Sequence, residues 1–209
     1  SHIRIRSSLA AEKALKKACS LSIQFKKRIH VLHITSKEEI SYLKLNKNHL
    51  ITCEVCPQHF LLKAPKDYET LGTKIKINPP VRYEEDGKAL VDALKNGLID
   101  TLATDHAPHT ITEKTKSFSQ APSGMPGVET FLPLMLDCVN RGLFTINDIV
   151  KWMSENPALC FKIKNKGFIK EGFDADLVLV DIKKTRKVEE KQLFTKCKWS
   201  AFDGKSLKG

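Results

Sequence analysis

The segment from residue 103 to residue 109 concentrates side chains that can bind a metal ion or transfer a proton. It reads Ala-Thr-Asp-His-Ala-Pro-His, which places Asp105, His106 and His109 on a turn restricted by Pro108. An aspartate that follows a strand is most often the N-cap of the next helix. Because we expect a long loop rather than a helix after His109, we interpret Asp105 as a residue with a chemical role.

A second candidate, His33, ends a strand predicted at residues 28–34. Side chains alternate between the two faces of a strand, so His33 is predicted to share a face with Ile29 and Val31. A single histidine at the end of a strand is usually structural. Imidazole nitrogen and carboxylate oxygen are both ordinary zinc ligands, however, so two strand ends that carry His33 and Asp105 favour a metal site.

Helices and buried strands alternate over most of the chain. Helices are predicted at 8–25, 36–46, 84–96, 128–140 and 146–154, strands at 28–34, 50–55 and 99–104, and a shorter extended piece at 75–78. Such alternation is typical of parallel βα units, and three units are too few to close an eightfold barrel of about 250 residues. The fold class is therefore predicted to be α/β, with residues 1–160 forming about the last three βα units of a (β/α)8 TIM-type barrel.

The pattern changes after residue 160. A turn at 167–172 and a strand at 176–181 replace the helical spacing. Residues 161–209 are therefore predicted to be a C-terminal segment that joins a small β-sandwich appendage.

The composition is that of a globular protein with a basic surface. Of the 209 residues, 41% are hydrophobic and 28% are charged, and the formal net charge is +11. A basic balance raises nucleic acid as a partner, but the lysines are scattered without interleaved aromatic residues, so we predict no nucleic-acid binding. No apolar run approaches the ~20 residues that span a bilayer, so we predict no membrane association.

The six cysteines lack the spacing of a disulfide framework, and we interpret them as reduced thiols of a cytoplasmic protein. Cys53 and Cys56 form a lone Cys-x-x-Cys pair. Positions three apart on a strand point to opposite faces, so we interpret this pair as structural.

Four motifs resemble those of the dihydroorotases, cyclic-amide hydrolases of the amidohydrolase superfamily. In chain order they are Leu-His-Ile-Thr-Ser at 32–36, Glu-Val-Cys-Pro-Gln-His at 54–59, Ile-Asn-Pro-Pro-Val-Arg at 77–82 and Thr-Asp-His-Ala-Pro-His at 104–109. Matches at 124–130, 156–158 and 166–177 extend the resemblance over essentially the whole chain. The Asn-Pro-Pro motif favours dihydroorotase over allantoinase or hydantoinase, because those relatives usually have another residue in place of Asn78.

The resemblance implies a reaction and its metal ligands. Dihydroorotases use a binuclear zinc centre to convert N-carbamoyl-L-aspartate reversibly to (S)-dihydroorotate and water in de novo pyrimidine biosynthesis. His33 matches the sixth-strand histidine that ligates the second zinc. Asp105 matches the eighth-strand aspartate that ligates the first zinc and acts as the general base.

The resemblance also implies substrate contacts and partners. Asn78 and His109 match residues that hold the ring amide and the carboxylate, while Ser123 and Gly124 lie where backbone groups contact the pyrimidine ring. A homodimer is expected on the same basis. Association with other pathway enzymes, such as aspartate carbamoyltransferase, is a further hypothesis.

Several parts of the family's site are absent from these 209 residues. They are the paired histidines of the first strand, the arginine beyond them, the bridging carboxylated lysine and the fifth-strand histidine. Since a catalytic zinc needs about three protein ligands, we predict that the chain alone does not form the binuclear centre. Gln58 also replaces the first histidine of a His-His pair found in many dihydroorotases. An allantoinase or hydantoinase, or a non-catalytic dihydroorotase-like fragment or scaffold subunit, therefore stays an alternative.

His106 and the loop at 110–122 allow two further local predictions. His106 is predicted to point away from the metals, because it alternates with Asp105. The loop at 110–122 is predicted to move or to close over substrate, because it is long and rich in serine, threonine and lysine.

Overall fold

A computed structural model describes residues 2–209 and shows an α/β fold. The helices are α1 (His2–Ile5), α2 (Ser8–Phe25), α3 (Lys37–Asn46), α4 (Gln58–Leu61), α5 (Lys66–Leu71), α6 (Glu84–Lys95), α7 (Ile111–Lys114), α8 (Val128–Asn140), α9 (Ile146–Val150) and α10 (Asn156–Phe161). The strands are β1 (Ile29–Val31), β2 (Ile51–Val55), β3 (Thr101–Leu102), β4 (Thr185–Lys187) and β5 (Ser206–Lys208). A π-helical turn at Lys151–Glu155 joins α9 to α10.

The first three strands form one parallel sheet with β2 in the centre. Ile29 lies opposite Ile51 in the first pair of strands, and Glu54 lies opposite Thr101 in the second. Because the strands are parallel, their carboxyl ends meet at one edge of the sheet, where α/β proteins usually bind ligands. The predicted parallel βα pattern is confirmed for these strands.

The central strand shows why the sheet is buried on one face. Ile51, Cys53 and Val55 alternate along β2 and are fully buried in the hydrophobic core against the helices. The alternate residues Thr52 and Glu54 are only half-buried on the opposite face. The two faces of β2 therefore differ, because one packs against the core and the other carries polar side chains.

Sequence signals locate the ends of the main helices well. Ser36 and Glu39 form the predicted capping box at the start of α3. Helix α2 ends at Lys26, which adopts the left-handed conformation typical of a helix C-terminus. Three acidic residues in the first turn of α6 favour its N-terminus by interaction with the helix dipole.

Two predicted strands are longer than those observed. β1 ends at Val31 rather than at residue 34, and β3 covers Thr101–Leu102 rather than 99–104. The backbone leaves the extended region at His33 and Asp105, whose φ angles are 38° and 47°. His33 and Asp105 therefore lie outside the regular strands, and strand alternation does not determine where their side chains point.

Two other predictions of local structure are wrong, and a third needs a shorter range. The segment 176–181 forms no strand; Leu179 is fully exposed and pairs with no strand within residues 2–209. The extended piece predicted at 75–78 begins one residue later, because Ile75 ends a 3-10 turn that starts at Gly72. Lys76 is extended, and its carbonyl accepts a hydrogen bond from the N–H of Gly124 in a loop. The loop after His109 contains the short helix α7, which begins with a capping box at Thr110.

The C-terminal part packs onto the same core as the parallel sheet. β4 and β5 form an antiparallel pair. Trp199 and Phe202, which lie between them, are buried in one hydrophobic cluster with the residues of β2. No helix within residues 2–209 is long and apolar enough to cross a bilayer.

Candidate metal and substrate site

His33 and Asp105 lie beyond the carboxyl ends of the two strands that flank β2. The N–H of Ile34 donates to the Glu54 carbonyl over 2.9 Å, and the N–H of Ala103 donates to the Val55 carbonyl over 3.0 Å. These two hydrogen bonds reach consecutive residues of β2, one from the residue after His33 and the other from two residues before Asp105. The left-handed backbone that His33 and Asp105 share is uncommon for residues other than glycine, and such strained residues cluster at functional sites.

Burial and neighbouring charges set the protonation of Asp105. Burial raises the pKa of the Asp105 carboxyl, positive charge on His33 lowers it, and the Glu54 carboxylate raises it again. The net result is a pKa above the usual aspartate value. These interactions place His33, Glu54 and Asp105 within one electrostatic neighbourhood.

Glu54 belongs to a polar network that sequence reasoning did not identify. Its Oε2 atom lies 3.0 Å from His30 Nε2, and Thr52 Oγ1 lies 2.8 Å from His30 Nδ1. Phe161 packs edge-on against the imidazole, with ring centroids 5.0 Å apart. The strand register contains the signal, because His30 lies opposite Thr52, two residues before Glu54.

Glu39 fixes the turn that follows His33. Its Oε2 accepts hydrogen bonds from the backbone N–H and the hydroxyl of both Thr35 and Ser36, at distances from 2.9 to 3.2 Å. All three residues are buried. The capping box of α3 thus also holds the chain just beyond a candidate metal ligand.

Gln58 fixes the chain before Asp105. Its side chain is 3% exposed, and its Nε2 donates to the Thr104 carbonyl over 3.0 Å. On the other side, Ala107 N–H donates to the Met125 carbonyl over 3.0 Å. Hydrogen bonds on both sides of Asp105 thus restrain its left-handed backbone.

His59 connects this edge of the sheet to the segment that carries Asn78. Its Nε2 lies 3.2 Å from the Pro79 carbonyl, and its buried Nδ1 has no hydrogen-bond partner within residues 2–209. Burial lowers the pKa of His59 to about 3, so the imidazole is neutral at pH 7. Asn78 itself is exposed beside this anchored proline.

The structure brings His109, Ser123 and Gly124 together. His109 Nε2 lies 3.2 Å from the Ser123 carbonyl, and the His109 carbonyl accepts a hydrogen bond of 2.7 Å from Trp199 Nε1. Gly124 has a φ of 144°, and a Cβ there would come within 2.5 Å of the Ala107 carbonyl. Only glycine allows this close approach of the two backbone segments.

His106 serves a different purpose from Asp105 and His109. Its Nδ1 accepts hydrogen bonds from the N–H groups of Gly127 and Val128, at 3.1 and 3.2 Å. These groups open helix α8, so His106 caps the helix. An imidazole that accepts through Nδ1 carries its proton on Nε2.

His33 and Asp105 have the chemistry of zinc ligands, but two ligands are fewer than a zinc site in a protein needs. Imidazole nitrogen and carboxylate oxygen are common zinc donors. Within residues 2–209, no three histidine, cysteine, aspartate or glutamate side chains are grouped so that they could hold a metal ion. His33 and Asp105 therefore offer part of a coordination shell.

Comparison with known proteins identifies the family. Residues 12–202 match the model of the amidohydrolase family. The chain belongs to the amidohydrolase family. This match includes both candidate ligands and all the predicted substrate contacts of this amidohydrolase.

Relatives with curated names include dihydroorotases of archaea. The dihydroorotase of Pyrococcus horikoshii is 41% identical over 94% of this chain, and that of Methanosarcina acetivorans is 37% identical over 97% of it. The amidohydrolase chain spans 45% of the length of each of these two relatives.

Solved structures of similar fold include hydantoinases. The L-hydantoinase (dihydropyrimidinase) of Arthrobacter aurescens superimposes with a TM-score of 0.89 at 33% identity, covering 94% of this chain and 45% of that enzyme. A D-hydantoinase superimposes with a TM-score of 0.90 at 27% identity, covering 99% of this chain and 47% of that enzyme. This chain thus shares its fold with about half of each of two enzymes that are named for hydantoin rather than for dihydroorotate.

Proposed function

We propose that this chain supplies the later part of a zinc-dependent dihydroorotase, which converts N-carbamoyl-L-aspartate reversibly to (S)-dihydroorotate and water in de novo pyrimidine biosynthesis. The observation that carries the proposal is the position of His33 and Asp105 at the same edge of a parallel sheet. Similarity to proteins named dihydroorotase supports this choice of substrate.

The proposal assigns residues 1–160 to strands six to eight of a (β/α)8 barrel and residues 161–209 to a segment that joins a small β-domain. The parallel order of β1, β2 and β3 supports the first assignment. The half-buried polar face of β2 also supports it, because Thr52 and Glu54 would face the interior of a closed barrel. The remaining ligands of a binuclear site would come from the preceding strands.

His33 and Asp105 would hold zinc in this site. When bound, zinc supplies Lewis-acid chemistry and lowers the pKa of a coordinated water to about 7. Asp105 is a carboxylate at the edge of the sheet, and such a group can first accept a proton and then donate it. In ring opening, its carboxylate would take the proton of the attacking water and deliver it to the leaving amide nitrogen. Ring closure would reverse this transfer.

The substrate contacts follow from the other anchored segments. Asn78 would hold the ring amide through its side-chain amide, while His109 would hold the carboxylate. The backbone of Ser123 and Gly124 would contact the ring at the point where glycine permits close approach. A net charge of +11 also favours the approach of an anionic substrate. We further propose a cytoplasmic homodimer, with aspartate carbamoyltransferase as a candidate partner.

A hydantoinase is the second candidate function. The superposition on the L-hydantoinase of Arthrobacter aurescens and the glutamine at position 58 both favour it. It would use the same ligands and proton transfer on a different cyclic amide.

Steady-state assays of the full-length gene product distinguish these functions. We expect turnover of dihydroorotate and N-carbamoyl-L-aspartate in the presence of zinc. The kcat/KM for hydantoin and allantoin should be at least about 100-fold lower, because these rings would leave polar groups of the site unpaired. Turnover of hydantoin or allantoin without dihydroorotate would contradict the choice of substrate. No turnover of any of these rings would favour a non-catalytic subunit.

A further inference from the structure

Lys114 is a buried lysine whose charge is neutralised by no carboxylate within residues 2–209. Its side chain is 1% exposed, and its ammonium group makes no ion pair in this part of the chain. Burial of an ammonium group without compensation is strongly unfavourable. The group must therefore be stabilised by dipoles that surround it.

Three backbone carbonyls provide this stabilisation. Lys114 Nζ donates to the carbonyls of Lys76, Pro122 and Gly124, at 3.1, 3.0 and 2.9 Å. An ammonium group has three N–H donors, so this arrangement can satisfy all of them. The Trp199 ring adds a further favourable contact, because Lys114 Nζ lies 5.5 Å from its centroid.

The carbonyls belong to the two segments that carry proposed substrate contacts. The Lys76 carbonyl lies two residues before Asn78, and it also accepts a hydrogen bond of 2.9 Å from the N–H of Gly124. The other two carbonyls flank Ser123. Lys114 therefore connects the Asn78 segment to the Ser123–Gly124 segment, beside the direct hydrogen bond between Gly124 and Lys76.

The same cluster extends to His109. Trp199 packs over Lys114 and donates through Nε1 to the His109 carbonyl. His109 Nε2 in turn approaches the Ser123 carbonyl. A residue from the C-terminal segment thus completes a connected set of contacts around one buried cation.

We propose that Lys114 is a positioning residue that sets the distance between the segments carrying Asn78 and Ser123–Gly124, so that the two sides of the substrate ring are held at once. This role rests on the proposed dihydroorotase function. Lys114 touches neither substrate nor metal, and it acts only through the backbone.

Substitutions of Lys114 in the full-length gene product test this role. K114M keeps much of the volume and removes all three donors, whereas K114Q keeps an amide with two. We expect K114M to raise KM for dihydroorotate about tenfold or more while kcat changes by less than about threefold, as for loss of binding that is equal in ground and transition states. K114Q should raise KM by a smaller factor. K116M, on an exposed lysine in the same loop, is the matched control and should leave KM unchanged.

Two outcomes overturn the proposal. A lowered melting temperature with wild-type KM in K114M would show that Lys114 only stabilises the fold. If K114M does not fold, K114Q replaces it in this test, and a wild-type KM in K114Q would likewise show that Lys114 has no positioning role.

Hydrogen exchange separates this inference from the choice of substrate. If the wild-type protein does not act on dihydroorotate, the proposed function fails, but the anchoring of the loop is still testable. Peptides covering 121–127 should then exchange amide hydrogens about tenfold faster in K114Q than in K116M, because local opening becomes easier. Equal exchange in the two variants would contradict the role of Lys114.

Discussion

The side-chain amide of Gln58 donates a hydrogen bond of 3.0 Å to the carbonyl of Thr104, the residue before Asp105. Both groups lie at the carboxyl edge of the sheet, and Gln58 is almost completely buried. The bond connects the start of α4 to the turn that carries a candidate metal ligand and general base. The geometry of Asp105 therefore depends on a residue from a neighbouring βα connection.

Gln58→Leu should destabilise the protein and disturb Asp105. Loss of the donor leaves a partly buried carbonyl without its partner, which costs about 1–3 kcal/mol of unfolding free energy. Denaturant unfolding of the full-length gene product measures this loss, and kcat should fall as well. Gln24→Leu, on the exposed face of α2, is the control and should change neither quantity. Wild-type stability and kcat in Gln58→Leu would show that the bond has no positioning role.

Glu39→Ala should destabilise the turn after His33. Four donors from Thr35 and Ser36 share one Glu39 oxygen, and its removal leaves buried N–H groups unpaired. We expect a loss of about 1–3 kcal/mol in the free energy of unfolding. Glu38→Ala is a matched control, since Glu38 Oε2 has no hydrogen-bond partner in the described residues. Equal effects of the two substitutions in denaturant unfolding would contradict this role of Glu39.

Lys114 should give the protein a measurable pH dependence on the alkaline side. Burial and the neighbouring Lys76 ammonium lower the pKa of Lys114 to about 8, against an ordinary value of about 10.4 when unfolded. Between these values the unfolded chain binds more protons at this site, so the free energy of unfolding rises with pH. The contribution of Lys114 is lost as the pH falls through about 8.

The comparison of wild type with K114M isolates this contribution. From about pH 8 to pH 10.4, the wild-type unfolding free energy should gain up to about 3 kcal/mol relative to K114M. Urea unfolding at several pH values measures it. Parallel pH profiles of the two proteins would mean that Lys114 titrates normally.

The isolated 209-residue chain should bind zinc weakly. Only His33 and Asp105 are available as proposed ligands, and a tightly held zinc needs about three protein ligands. Elemental analysis after dialysis should therefore find much less than one zinc per chain, and His33→Ala should reduce even this fraction. Two tightly held zinc ions per chain would show that other residues complete the site.

The candidate site residues could be proposed from the sequence, whereas the hydrogen bonds that support them could not. The parallel sheet, the capping box at Ser36 and the position of Asp105 follow from local patterns, which act over a few residues. The face assigned to His33 by strand alternation does not apply, because its left-handed backbone interrupts the strand. Such a conformation depends on distant hydrogen bonds and is not encoded by the spacing of apolar residues.

Long-range contacts account for the other differences. Lys114 looks like one of several lysines in a polar loop, and its three carbonyl partners show that the loop is anchored. The predicted movement of residues 110–122 stays a prediction, and these contacts favour a fixed loop. Similarly, the apolar run between Asp176 and Asp181 predicts a strand, but a strand needs a partner, and none of the described residues provides one.

The most direct test of the proposed function is the activity of Asp105→Asn on dihydroorotate in the full-length gene product. Asparagine keeps the shape of the side chain but cannot accept and return a proton, so kcat should fall by about 100-fold to 10,000-fold. Asp92→Asn, an exposed carboxylate on α6, should retain wild-type activity, and circular dichroism should show all three proteins folded. Wild-type turnover of dihydroorotate by a folded Asp105→Asn variant would contradict the assignment of Asp105 as ligand and general base.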